Sequence, residues 1–520
     1  MSSFTFICAV LLVLVYGIRT LLRCVSSVLD KIPGPPSKSW LTGHLTQFYD
    51  PDGWAFQKDL EENYGQVVRL HGLFGDRGLY VFDPAALHSI LIKDQNIYEE
   101  MPKFQSLNKL LFGPGIFSSI GDDHRKYRKI MIPAFSTANL RGMVPQFYDV
   151  AERLDLNAIL CRTSLELIGR TGIGYSFDSM LPGKEQANPY AEALRALFPV
   201  AFKLSVLLPL LPLILKIPFP SFRRFMINLV PSPMLHHLRD LVDITDGIAT
   251  QLVAERKAAI KSGVLDVKED AKDIMSLMMK SNASAEGSIR LTDSELVASL
   301  AMTIFAATDT TASSMNRMFH ILALYPEAQE KLRAEILDAP EHLHHDALVA
   351  LPYLDSFVRE LLRLFPPTSP AMYREAYEDA ILPLRTPMIG VDGILMNTIT
   401  VPKGTSIYIA IAAANHSKQI WGDDALEFKP ERWTNGKAES VTTKMCGIYG
   451  NTMTFVGGGR SCIGFKFAQL EMKAVASVLL RAFKFSTPDP RIQWRMTGAV
   501  PSPSVHGQPG LPILVEHLKV

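Results

Sequence analysis

Most of the 520 residues set apolar side chains three and four positions apart, and strict alternation is confined to short stretches near the two ends. That pattern predicts a mainly α-helical protein with small β-sheets. Pro51–Tyr64 reads as a helix. The stretch QVVRLHGLFGDRGLYVFD (Gln66–Asp83) alternates around a glycine turn and predicts a hairpin. GILMNTITVPKGTSIYIAIAAANH (Gly393–His416) predicts further short strands. The longest helical signal starts at Thr292, which makes a capping box with Glu295, and runs without glycine or proline until Pro326. Midway along it stand Asp309, Thr310 and Thr311. An acid and two hydroxyls there are costly unless satisfied or used. Two readings stay open: Thr310 bonds back to its own helix carbonyls while Asp309 pairs elsewhere, or the group performs chemistry.

Two apolar segments bear on membranes. FTFICAVLLVLVYGI is free of charge, and Arg19, Arg23 and Lys31 follow it. No basic stretch precedes it and no small-x-small site follows, so residues 1–23 read as a single-pass anchor rather than a cleaved signal peptide. Positive charge on its C-terminal side leaves the remainder in the cytosol. Pro33, Pro35 and Pro36 make residues 24–50 a stiff proline-rich connector, and residues 51–520 read as one large domain. Phe198–Phe222 is nearly apolar enough for a second span, but Lys203, Lys216 and five prolines argue for a broken loop at the membrane interface or at a greasy entrance.

Charge and cysteine content narrow the chemistry. Lys plus Arg is 53 and Asp plus Glu is 52, a net charge of +1 that gives no reason to expect nucleic acid as a partner. The five cysteines, Cys8, Cys24, Cys161, Cys446 and Cys462, are odd in number and scattered, which suits a reducing compartment. Cys462 is set apart by FVGGGRSCIG (Phe455–Gly464). Gly457, Gly458 and Gly459 permit a tight turn, Arg460 supplies a cation, and Gly464 lets the following helix lie close behind. A helix start lowers a thiol's pKa, and one thiolate on iron opposite an open position favours O–O cleavage.

Phe455, Gly458, Arg460, Cys462 and Gly464 match F-x-x-G-x-R-x-C-x-G, the haem-binding signature of the cytochrome P450 family, which the chain resembles over nearly its whole length after the anchor, with a fungal microsomal flavour. The resemblance implies the cytochrome P450 fold, haem b (iron protoporphyrin IX) as cofactor, and Cys462 as the axial ligand of its iron. It implies that Glu360 and Arg363 of ELLR join Arg432 of FKPERW in a buried three-way pair beneath the haem loop, whereas the residues alone read as an exposed ion pair. AATDTT (Ala306–Thr311) resembles the oxygen-activation segment, with Ala307 where glycine is usual. Thr310 and Asp309 would then relay protons to activated dioxygen. The implied haem-carboxylate cations are Arg128, Arg374 and Arg460, with His124 standing where the family carries tryptophan and equally readable as a satisfied surface histidine.

The implied activity is a monooxygenase that inserts one atom of O2 into a lipophilic small molecule, a terpenoid or polycyclic compound of secondary metabolism or detoxification. Pocket walls fall to Phe104–Phe117, Phe305, Ala306, Pro370–Tyr373 and Val500–Pro503, which are largely apolar. Electrons would come from a separate NADPH–cytochrome P450 reductase in the endoplasmic reticulum membrane, docking at bases such as Lys466 and Lys473. The alternatives are a haem-thiolate isomerase or dehydratase that needs no reductase, and an inactive haem-binding relative. The connection between VPQFYDVAERL and NAILCRTSLELIG looks short by roughly a helix. The sequons at Asn282 and Asn415 are discounted, because a cytosolic body never meets the glycosylation machinery.

Overall fold

The computed structural model describes residues 27–152, 160–177, 188–204, 208, 210–262, 273–368, 371–434, 443–487, 491–497 and 500–518. The predicted anchor, the centre of the shortened connection and Pro370 lie outside those residues. Helices dominate, as the pattern predicts. In chain order those used below are α1 (Trp54–Asn63), α2 (Pro102–Phe112), α3 (Gly121–Met131), α4 (Thr137–Glu152), α5 (Leu160–Leu167), α6 (Pro189–Lys203), α7 (Pro220–Leu229), α8 (Pro233–Lys261), α9 (Asp293–Leu324), α10 (Pro352–Leu364) and α11 (Phe465–Ala482).

The 32-residue α9 is the axle. Its N-terminus is closed by the predicted box, with Thr292 N–H donating to Glu295 Oε2 at 2.7 Å. Among the described residues only this helix is long and apolar enough to cross a membrane. Most of it is buried by α2, α5, α8, α10 and α11, so its hydrophobicity belongs to the protein core.

Among the described residues the strands form four small sheets. The largest holds β1 (Val67–His71), β2 (Arg77–Val81), β3 (Tyr98–Glu99), β4 (Met372–Ala376) and β7 (Ser406–Ile409), in the order β1-β2-β7-β4-β3. The β1–β2 hairpin pairs Val67 with Val81 around the predicted glycine turn. β5 (Ala380–Ile389) and β6 (Leu395–Val401) make a separate ribbon, β8 (Phe483–Ser486) pairs with β12 (Leu514–His517), and β9 (Gln493–Thr497), β10 (Val500–Val505) and β11 (Gln508–Pro509) make the fourth sheet. The alternation in Gly393–His416 holds only to Ile409. Ile411–His416 is helical, because Ala412, Ala413 and Ala414 are strong helix formers buried on every side.

The proline stretch lies along the large sheet. Arg69 N–H donates to Pro33 O at 2.9 Å, and a Cβ on Gly34 would stand 2.1 Å from Arg69 O. His44 Nδ1 accepts from His71 N–H at 2.9 Å. The chain is therefore fastened to the sheet from Asp30 onward.

Candidate active site

Cys462 follows a turn at Gly458–Arg460 and stands two residues before Gly464, the N-cap of α11. Its N–H donates to Phe455 O at 2.9 Å, and Gly459 N–H reaches Gln95 Oε1 at 2.9 Å. Glycine is obligatory twice in this loop. A Cβ on Gly458 (φ 73°) would lie 1.8 Å from Leu91 O, and one on Gly457 would lie 1.8 Å from Cys446 O. Gly464 behaves otherwise: an added Cβ would meet only Phe135 Cε1 at 3.8 Å, so the close helix packing expected there is not found. The Cys462 thiol is exposed, yet burial is the largest influence on it and raises its pKa. The Gly464 N–H and then the Arg128 guanidinium pull the pKa back.

Four predicted residues converge on one cavity of about 330 Å3: His124, Arg128, Arg374 and Arg460. Arg128, on α3, donates to Ser461 O at 2.6 Å and to Ser461 Oγ at 3.0 Å, tying α3 to the cysteine loop. Arg374, on β4, is 1% exposed and gives Nη1 to Glu100 Oε1 at 2.6 Å, while its buried Nη2 has no partner among the described residues. Arg460 binds Glu99 Oε2 through Nε at 2.8 Å and Ser119 O through Nη2 at 3.0 Å. His124 is buried, which removes the surface reading. Burial first, then Arg460, Arg128 and Arg374, hold its pKa down to about 3, so it is neutral.

The exposed-pair reading of Glu360 and Arg363 is also overturned. Both side chains are 0% exposed, with Arg363 Nε and Nη2 on the two carboxylate oxygens at 2.9 and 2.8 Å. Trp433 Nε1 donates to Glu360 Oε2 at 2.9 Å, and Lys429 N–H to Oε1 at 3.1 Å. Arg432 approaches Oε1 at 3.4 Å and binds Asp424 Oδ1 at 3.0 Å. Sequence spacing placed the first pair on one helix face but carried no information on what covers it.

On α9, Thr310 Oγ1 donates to Ala306 O at 2.7 Å, the back-bonded geometry. Asp309 makes no hydrogen bond among the described residues. Burial lifts its pKa to about 6, against the pull of Arg195 on α6. Ser164, on α5, donates to Ala307 O at 3.2 Å and had no motif to mark it. Glu99 and Glu100 were missed likewise, since an acid doublet in YEEMP has no signature of its own. Over this helix Phe305 stacks on Phe198 with centroids 4.6 Å apart, and Phe112 joins at 5.3 Å, so α2, α6 and α9 share an apolar wall.

The cytochrome P450 family profile matches residues 33–505. The chain belongs to the cytochrome P450 family. Cytochrome P450 monooxygenase 91 of Postia placenta is 42% identical over 540 aligned positions, covering 99% of this chain and 98% of that protein. Ganoderic acid synthetase of Ganoderma lucidum is 37% identical over 508 positions, covering 92% of each. The first alignment is longer than the 520-residue chain, so that relative has residues to which none here correspond. As a cytochrome P450 this is a haem-thiolate monooxygenase that uses O2, a redox partner and a substrate.

The residues present fit a haem. Cys462 stands in a loop that forbids Cβ atoms at Gly457 and Gly458, and a buried guanidinium nitrogen of Arg374 lacks an acceptor among the described residues. Lys473 does not fit its assignment as a docking base for the reductase. It is 1% exposed and bonded to Asp355 Oδ1 at 2.7 Å, because α11 turns that face towards α10. Lys466, in contrast, is exposed. The sequons are closed by packing as well: Asn282 bonds Leu291 O, and Asn415 bonds Thr454 Oγ1, both from buried side chains.

Proposed function

We propose that this cytochrome P450 oxidises a lipophilic small molecule at haem b held by Cys462, with electrons from an NADPH–cytochrome P450 reductase. The observation that carries it is Cys462 in its glycine loop with the cation cavity close by, joined to that loop through Arg128 and Ser461. When bound, the haem supplies reductive activation of dioxygen at its iron. Arg128, Arg374 and Arg460, with neutral His124, would hold its carboxylates. Glu360, Arg363 and Arg432 would support the loop from behind.

Thr310 and Asp309 would divide the proton traffic. With its proton given to Ala306 O, Thr310 Oγ1 presents only lone pairs to the groove. It therefore orients an incoming proton donor rather than acting as one. Asp309, half-buried with its pKa near 6 and facing exposed Arg195, is suited to exchange protons between solvent and that hydroxyl. The apolar Phe112–Phe198–Phe305 wall favours a hydrophobic substrate and excludes water.

The membrane anchor at residues 1–23 and a cytosolic catalytic body at the endoplasmic reticulum belong to this proposal. A face of exposed Leu210, Leu213, Phe219, Phe222, Phe225 and Leu229 supports it, since such a patch rests against lipid rather than water. Exposed Lys466 and Lys129 are bases available to an acidic redox partner. The test is reconstitution of membranes with reductase and lipophilic compounds. Product formation must require NADPH, and Thr310→Ala must divert reducing equivalents into peroxide. Turnover without NADPH, or unchanged coupling in Thr310→Ala, rejects the scheme.

A further inference from the structure

Glu99 and Glu100 have no place in the motifs, yet they hold two of the three guanidiniums in the cation cavity. β3 pairs Glu99 with Glu375 of β4, the strand that carries Arg374. At the end of β3 the two carboxylates diverge. Glu100 Oε1 takes Arg374 Nη1 at 2.6 Å, and Glu99 Oε2 takes Arg460 Nε at 2.8 Å. Glu99 Oε1 also accepts the Gly121 N–H at 3.1 Å, the first residue of α3. One side chain thus fastens the cysteine loop to the helix that carries His124 and Arg128. Both carboxylates are about nine-tenths buried, at 10% and 9% exposed, so solvent screens them weakly.

The charges are informative. Arg128, Arg374 and Arg460 are cationic and His124 is neutral, while Arg125 and Lys129 lie exposed on the rim. Three guanidiniums gathered in one cavity without anions would repel one another. Glu99 and Glu100 relieve that repulsion before any ligand arrives. Two haem carboxylates added to them then bring four anions against three cations, and a net negative surrounding disfavours putting an electron on iron.

We infer that Glu99 and Glu100 are positioning residues of the haem site, a carboxylate pair that pre-orders Arg460 and Arg374 and holds the reduction potential of the iron down. The inference rests on the reading above that these arginines hold the haem carboxylates.

The test uses the full chain purified with its haem, in Glu99→Gln, Glu99→Asp, Glu100→Gln and Glu100→Asp forms, with Glu516→Gln on exposed β12 as a control for charge loss alone. Two quantities are read: the reduction potential, and the rate of haem transfer to apomyoglobin. Each Gln variant should raise the potential and release haem several-fold faster. Each Asp variant should recover most of both, and the control should change neither. Failure of a Gln variant to retain haem, with its Asp partner retaining it, supports the inference. Potentials and release rates equal to the parent's in both Gln variants overturn it. Arg374→Met and Arg460→Met tell the two failures apart: if they shift retention while the Gln variants do not, only the carboxylate pair is wrong, and if they too change nothing, the arginine reading itself falls.

Discussion

Glu360→Gln removes one charge from the centre of a fully buried cluster. Its two oxygens receive Arg363 twice, Trp433 Nε1, Lys429 N–H and the approach of Arg432. A glutamine amide can accept at one position only, so either orientation turns its NH2 against at least two N–H donors. Arg363, also 0% exposed, keeps the Asn415 and Ala425 carbonyls on Nη1 but loses one of its two bonds to the side chain and faces no compensating charge. Breaking such a pair costs about 3–5 kcal/mol. A domain's whole stability is roughly 5–15 kcal/mol, so the loss is about a fifth or more. The pair of Arg141 with Asp346, each 54% exposed, makes the contrast, since water screens it and its loss changes stability little. The assay is haem bound per polypeptide after expression, together with the urea midpoint, for Glu360→Gln beside Asp346→Asn. Glu360→Gln should purify largely without haem and with a sharply lower midpoint, and Asp346→Asn should match the parent. Full haem content with an unmoved midpoint in Glu360→Gln would refute the reasoning.

Two further predictions concern titration. Asp309 loses its proton as pH climbs through about 6, so the share of electrons released as peroxide should rise across that range. Arg195→Leu should move the inflection upward and Asp309→Asn should abolish it; a pH-independent parent would count against the relay. Glu471, on α11, is 0% exposed, and burial pushes its pKa well above 4.5. The neighbouring Ser164 hydroxyl, as a donor to the carboxylate, counters this only in part. The folded state therefore holds a proton that the unfolded chain releases near pH 4.5, and stability falls as pH rises above that value. Urea midpoints from about pH 5 to 8 should decline less steeply for Glu471→Gln; equal slopes would show that the acid is not neutral in the fold.

Much of this was legible because it rests on local rules. The capping box at Thr292, the glycine hairpin and the spacing around Cys462 depend on near neighbours in the chain. What escaped depends on what packs across. Lys473 looked like a docking base because no sequence pattern says which face of α11 meets α10. Glu360 and Arg363 looked exposed for the same reason. Glu99 meets Arg460 across 361 positions and Glu100 meets Arg374 across 274, separations no motif encodes. The end of Gly393–His416 was misread because alternation cannot tell a buried alanine helix from a buried strand.

The central claim is that the Cys462 sulfur carries the iron, and the ferrous–carbonyl difference spectrum of the parent beside Cys462→His tests it most directly. The account predicts a Soret band at the unusually long wavelength of thiolate ligation in the parent, and its replacement by a shorter-wavelength band in Cys462→His. A long-wavelength band that survives the substitution would contradict it.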